Sequence, residues 1–366
     1  MPTHARVVVV PKEKRPLDVL EMDLPDPGPY EVVVKQFASG VCHSQLHQIH
    51  NENRPNPVIL GHESTGVVIA KGNEVTHVKE GDHVMVTWVP RNKASNPRFA
   101  VAATLKLPDG NLAVSQNVYT WADNTVADEQ YVVKIPEDSV MDVTSIIGCA
   151  VMTGAGAVLY TAGVKKGESV AVFGVGGVGL SAVVAAKVVG ADPIIAVDLD
   201  DEKLEFARHF GAAETVNAAK EDAIRAIRAL TEREGVYSIR QRPVSGVDYA
   251  FDCIGRKETM EQILRAVRTG TYGGISPGGT AVLVGIPQTT VELNAGDIVA
   301  NEKKYIGSIG GSCVPDRDFP IFLEWYKNGQ LDLNTLVTQR FKIDQINEAV
   351  AALEKGLIKG RAILEF

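Results

Sequence analysis

The run Gly174-Val-Gly176-Gly-Val-Gly179 constrains this chain more than any other segment. It follows an apolar stretch of strand length, 169–173, and opens a segment with helix length and composition, 180–189, which Gly190 can stop. In that setting the first glycine makes a tight turn. The second lets the backbone approach a pyrophosphate, and the third lets the helix pack closely on the strand. The first N–H groups of the helix, around Gly177 and Val178, then meet the phosphates with the positive end of the helix dipole. Asp198 ends the next apolar strand, 193–197, nineteen positions after Gly179. A carboxylate there holds the adenosine ribose hydroxyls and repels a ribose phosphate, so NAD is expected over NADP. Each part alone has a plainer explanation. A glycine-rich turn often only connects, and Asp198, like Asp200 and Asp201, can simply cap a turn or a helix. Together they read as a dinucleotide site.

The same alternation continues downstream. Helical segments at 203–211 and 257–267 interleave with apolar strands at 247–252 and 280–285, which implies a parallel sheet covered on both faces, the doubly wound Rossmann fold. Upstream the character differs. Short apolar or alternating runs at 31–36, 64–70, 83–88 and 130–135, punctuated by Gly, Pro, Asn and Asp, read as a β-rich domain. The last stretch is mixed, with a helix at 344–354 and a strand at 361–366 that could return to the first domain. The expected division is 1–150 with 313–366, and 151–312. Two domains suit a chain of 366 residues. Residues 90–118 fit neither pattern and read as an inserted loop or hairpin.

A net charge of −8 argues against nucleic acid or an anionic membrane as the main partner. No stretch approaches the ~20 apolar residues of a membrane span, and no targeting signal is legible, so a cytoplasmic location is expected. The 4 cysteines, Cys42, Cys149, Cys253 and Cys313, lie far apart with no CxxC pair, which does not make a disulfide framework.

Three short elements remain: Gly40-Val-Cys42-His43-Ser44, Gly61-His62-Glu63 and Gly148-Cys149-Ala-Val-Met-Thr153-Gly154. Taken singly, a cysteine is usually a small core residue and a histidine a satisfied polar side chain. In this order, ahead of the glycine turn and Asp198, they resemble the zinc alcohol dehydrogenases of the medium-chain dehydrogenase/reductase superfamily. The resemblance runs from the first strands to the C-terminus and lapses at 90–118, about 234–243 and about 269–276. It implies that the β-rich part is a GroES-like catalytic domain. Cys42, His62 and Cys149 would be zinc ligands with a fourth position open, and Glu63 a transient ligand. Ser44 would take the substrate proton, and His47 would pass it out through the cofactor ribose. His43 stands where many relatives carry an arginine on the pyrophosphate. Thr153, Lys203, Ile286 and Arg361 would also meet the cofactor. Trp88, Trp121 and Ile286 would wall a narrow apolar channel, suited to an unbranched or aromatic primary alcohol or its aldehyde.

Two departures from the family pattern stand out. Gln45 replaces the usual aspartate beside the ligand histidine; its carbonyl can accept the histidine N–H but brings no charge. Residues 90–118 hold no cysteine where many relatives bind a second, structural zinc, so one zinc per chain is expected. By the same resemblance the chain pairs through the edge of the cofactor-domain sheet, about 280–312, as a homodimer or homotetramer. The competing readings are a zinc-free quinone or enoyl reductase of the same superfamily, a dinucleotide-binding protein without turnover, and an enzyme that holds its cofactor tightly and passes electrons to an external acceptor. The complete ligand set opposes the first, and Ser44 with His47 beside it opposes the second.

Overall fold

The computed structural model describes residues 3–13, 15–91, 98–238, 240–271 and 276–366. The chain divides into two compact units, Met1–Ala150 with Val314–Phe366, and Val151–Cys313. The second boundary falls one residue after the expected 312. Cys313 lies in the second unit, where its thiol donates to the Met152 carbonyl at 3.2 Å.

The second unit is built on a parallel six-stranded sheet. Its spatial order is Glu214–Asn217, Ile194–Asp198, Val170–Phe173, Tyr249–Asp252, Thr280–Leu283, Lys304–Gly307. In chain order, setting aside the small hairpin of Arg233–Tyr237 and Pro243–Val244, this is the 3-2-1-4-5-6 arrangement of doubly wound dinucleotide folds. The central strand Val170–Phe173 is buried at every residue, as expected for a parallel strand covered on both faces. Helix Gly177–Val189 follows it and ends at Gly190, whose φ of 80° is the left-handed cap that glycine adopts freely. Helix Asp201–Phe210 starts on Asp200, whose carboxylate accepts the N–H groups of Glu202 and Lys203. Such a cap contributes about 1 kcal/mol.

The first unit is β-rich, with a five-stranded and a seven-stranded sheet. The larger runs Val132–Lys134, His83–Thr87, Glu63–Lys71, Glu31–Val41, Arg361–Glu365, Val337–Lys342, and Asn124–Asp128 also pairs with Glu31–Val41. Strand Arg361–Glu365 lies antiparallel on Glu31–Val41, with Ala362 opposite Val41, so the returning strand expected from the sequence is present. The 90–118 segment contains a hairpin, Thr104–Lys106 with Leu112–Val114, that extends the smaller sheet; 92–97 lie outside the described residues, as do 239 and 272–275 in the other two divergent stretches. Beyond 97 the segment is pinned by Arg98. Its guanidinium makes two bonds to Asp128, at 2.6 and 2.8 Å, and sits 4.4 Å above the Tyr30 ring. Among the described residues no helix is long and apolar enough to cross a membrane.

Candidate metal centre and dinucleotide turn

Strand Glu31–Val41 delivers Cys42 at its end, where the chain turns directly into the short helix Ser44–Ile49. Gly61, at φ 93°, turns the chain so that His62 and then strand Glu63–Lys71 follow. A Cβ on Gly61 would stand 2.3 Å from the backbone nitrogen of Trp121, so only glycine fits. A Cβ on Gly40 would meet Glu63 Oε1 at 2.2 Å, which explains that glycine as well. Thr87, at the end of its strand, donates to the carbonyl of Gly148 at 2.7 Å and so steadies the segment that carries Cys149. Nothing in the sequence singled out Thr87.

These turns bring Cys42, His62, Glu63 and Cys149 together, one ligand atom from each lying within 4.8 Å of all the others. His62 Nε2 is buried without a hydrogen-bond partner. A buried ring nitrogen beside two thiols is costly unless something engages it. Two sulfurs and an imidazole suit zinc, so the residues fit the metal that the resemblance implies. A hydrogen bond from Cys149, with the nearby Arg361 and His62, holds Cys42 well below the usual thiol range despite burial. The same hydrogen bond, together with burial, pushes Cys149 well above it. A metal would take both cysteines as thiolates, so binding would release whatever proton the pair still holds.

Around this cluster, the Ser44 hydroxyl donates to Cys42 Sγ at 3.2 Å. His43 is exposed and His47 half-buried one helical turn on, with their rings 6.1 Å apart. Glu63 is fully buried and bonds Arg361 through one oxygen, while the other accepts the Ala150 N–H at 3.2 Å. Burial raises the Glu63 pKa, and Arg361 opposes that rise. Burial alone would lower the Arg361 pKa, but Cys42 and Glu63 hold it above its ordinary value. The sequence indicated Glu63 and Arg361 separately and gave no sign of their contact.

Two expectations change. Gln45 does not turn its carbonyl to His62. Its Oε1 accepts the Gly61 N–H at 2.5 Å, and its Nε2 faces His62 Nδ1 at 2.9 Å. Trp121 does not wall a channel. It is 0% exposed in a core cluster with Val8, Val10 and Leu60, and its indole N–H donates to the Gly40 carbonyl at 3.1 Å. Core packing, the plainer explanation for a tryptophan, holds there. Trp88 is half-buried, and its indole nitrogen has no partner.

In the second unit, Gly174 takes φ 84°, a conformation that favours glycine. A Cβ on Gly179 would lie 1.8 Å from the Gly174 carbonyl oxygen, so the helix approaches the strand as closely as its backbone permits. A Cβ on Gly176 would meet nothing within 4 Å, which leaves the turn open on that side. Gly176 is also the helix N-cap, and among the described residues no side chain bonds the first-turn N–H groups of Gly177 and Val178. Asp198 accepts the N–H of Val175 at 3.0 Å and of Leu199 at 2.8 Å, which fixes its carboxylate at the strand end beside this turn. Thr153 is buried with an unpartnered hydroxyl. Lys203 lies in the first turn of its helix, and Ile286 is 52% exposed.

Comparison with known proteins agrees with both halves of the chain. Residues 28–137 match the alcohol dehydrogenase GroES-like domain, and residues 177–328 match the zinc-binding dehydrogenase domain. The chain is 31% identical to S-(hydroxymethyl)glutathione dehydrogenase of Paracoccus denitrificans, over 96% of this chain and 97% of that one. It is 30% identical to alcohol dehydrogenase class-3 of Cereibacter sphaeroides, with the same coverage of 96% and 97%. The crystal structure of benzyl alcohol dehydrogenase from Acinetobacter calcoaceticus superposes with a TM-score of 0.84 at 28% identity, covering 100% of this chain and 99% of that one. With a buried sulfur–imidazole cluster in one unit, a dinucleotide turn in the other, and relatives matching from end to end, the chain belongs to the zinc-type alcohol dehydrogenases of the medium-chain dehydrogenase/reductase superfamily.

Proposed function

We propose that the protein is an NAD-linked dehydrogenase that moves a hydride reversibly between a primary alcohol, aliphatic or aromatic, and its aldehyde. The unpartnered Nε2 of His62 beside the thiols of Cys42 and Cys149 carries this reading, because it marks a prepared metal site. Zinc held there supplies Lewis acidity that eases loss of the hydroxyl proton. Ser44, already a donor at Cys42, is positioned in our reading to receive that proton by passing its own outward, and His47 ends the path toward solvent. The open glycine turn and uncapped helix start would receive the cofactor pyrophosphate, and Asp198 the ribose hydroxyls. The buried Thr153 hydroxyl would find its missing partner on the nicotinamide amide. His43 and Arg361 would contribute positive charge toward the phosphates, and Lys203 and Ile286 would border the cofactor.

The preference for primary alcohols rests on Trp88, whose half-buried ring remains available to flank a flat or unbranched substrate, and on the activity named for the benzyl alcohol dehydrogenase neighbour. The glutathione-adduct relatives offer a second substrate class, S-(hydroxymethyl)glutathione. One zinc per chain and a homodimer or homotetramer complete the proposal. The test is zinc analysis of the purified protein, followed by steady-state rates on ethanol, hexanol, benzyl alcohol, 2-butanol and S-(hydroxymethyl)glutathione with NAD and with NADP. Zinc-free protein, or no alcohol-dependent reduction of either cofactor, would overturn the reading.

A further inference from the structure

Gln45 stands between two groups that both require an acceptor once a metal is bound. The first is the Gly61 N–H, 2.5 Å from Oε1. A backbone N–H can be met only by an oxygen, so this contact fixes which way the amide points. The second is the His62 ring. For Nε2 to give its lone pair to a metal, the neutral imidazole must carry its proton on Nδ1. That atom lies 2.9 Å from Gln45 Nε2, which is itself a donor. With metal bound, donor would face donor. If the amide turned over to serve His62, the same conflict would pass to Gly61. Gln45 is buried at 2% exposure, so water cannot relieve either arrangement. A carboxylate at this position would offer one oxygen to each donor, whereas an amide has only one.

We infer that Gln45 is a positioning residue that works against metal retention. By anchoring Gly61 it withholds an acceptor from His62, and the zinc of this protein exchanges more readily than a carboxylate at the same place would allow. The inference rests on the zinc site proposed above. It concerns how tightly the metal is held, not whether alcohol is the substrate.

The test measures zinc affinity of the purified holoenzyme by competition with a chromophoric chelator, for wild type, Gln45→Glu and Gln45→Met. The glutamate keeps the length of the side chain and serves both donors. It should tighten zinc by roughly tenfold or more, since ligand-orienting partners commonly change affinity by about 10–100-fold. The methionine removes the opposing NH2 and brings only a weak sulfur acceptor. It costs the Gly61 bond equally with and without metal while the clash of donor against donor is gone, so zinc affinity should be no lower than in wild type even though the fold loses stability. A glutamate variant no tighter than wild type would overturn the inference. So would a methionine variant roughly tenfold looser, because glutamine would then be supporting His62 through its carbonyl. Should the methionine variant not fold, the proton spectrum of the other two holoenzymes decides. A slowly exchanging low-field imidazole N–H from His62 is expected in Gln45→Glu and not in wild type. Its presence in wild type would also overturn the inference. Wild type that binds no zinc would sink the dehydrogenase proposal instead, and equal zinc retention in all variants would sink only this one.

Discussion

The guanidinium of Arg361 closes on the carboxylate of Glu63, a residue 298 positions earlier in the chain. Both are buried, so neither charge can turn to water if the other is removed. Arg361→Leu should therefore destabilise the first unit by about 3–5 kcal/mol, the usual cost of stranding one member of a buried pair. Replacing both, Arg361→Leu with Glu63→Leu, should cost clearly less than the sum of the single changes. Chemical denaturation of the four proteins measures the coupling; additive effects would show the pair to be unimportant.

Two glycines of the dinucleotide turn should separate binding from folding. Gly176→Val places a side chain in open space and should leave the fold intact while weakening cofactor binding severely. Gly179→Val drives a side chain into the Gly174 carbonyl and should destabilise the second unit itself. Calorimetric titration with NADH, beside thermal melts, reads the two effects. Loss of stability without loss of binding at Gly176 would contradict the proposed phosphate site. Asp198→Gly should narrow or reverse the preference between NAD and NADP.

Ser44→Ala should lower turnover by about 10²–10⁴-fold, the range for a positioned acid–base group, with zinc content unchanged. Single-turnover rates with a deuterated alcohol would show whether the chemical step is the one slowed. Near-normal turnover would remove Ser44 from the proton path.

Trp88 and Trp121 should now behave differently. Trp121→Ala should cost about 3–5 kcal/mol, as for a large core ring. Trp121→Phe should leave the order of preferred alcohols unchanged. Trp88→Ala should leave stability nearly intact and alter the ratio of rates for benzyl alcohol and 2-butanol. An unchanged ratio would remove Trp88 from the substrate wall.

The second unit carries an acid-sensitive link at Asp248. Burial alone would raise its pKa, but hydrogen bonds from Ser169 and Arg268, with the charge of Arg233, bring it below the ordinary 3.8. A lowered folded pKa contributes stability that is complete above the unfolded value and is lost as pH falls through the folded one. Asp248→Asn should thus cost about 2 kcal/mol near neutral pH, the order of a hydrogen bond to a charged group. The difference from wild type should fade in strong acid. A difference that persists undiminished there would assign the effect to shape rather than charge.

The sequence was most legible where a local rule forces a residue choice. The strand–glycine–helix pattern around Gly174 could be read directly, because turn geometry acts over a few residues, whereas the helix after Asp198 was expected from 203 and begins at Asp201, with Asp200 one of the aspartates able to cap it. The ligand cysteines 42 and 149 were not pairable by spacing; only the ordered set of short elements brought them together, by resemblance. What escaped notice depends on distant chain segments meeting. The Trp121 ring is core because Val8, Val10 and Leu60 pack with it and its N–H reaches the Gly40 carbonyl, all from elsewhere in the first unit. The Gln45 amide is oriented by Gly61, sixteen positions away. Neither relation leaves a periodic mark in the sequence.

The first unit is interrupted by the whole of the second and resumes at Val314. During synthesis, Cys42, His62 and Cys149 therefore leave the ribosome well before the strand that carries Arg361. The contiguous second unit can fold as it emerges. Until residues 361–365 arrive, strand Glu31–Val41 lacks one neighbour and Glu63 has no counter-charge. A nascent chain that captured zinc early would do so with an unneutralised carboxylate beside the thiols. The order of translation thus separates the appearance of the ligands from the completion of their surroundings.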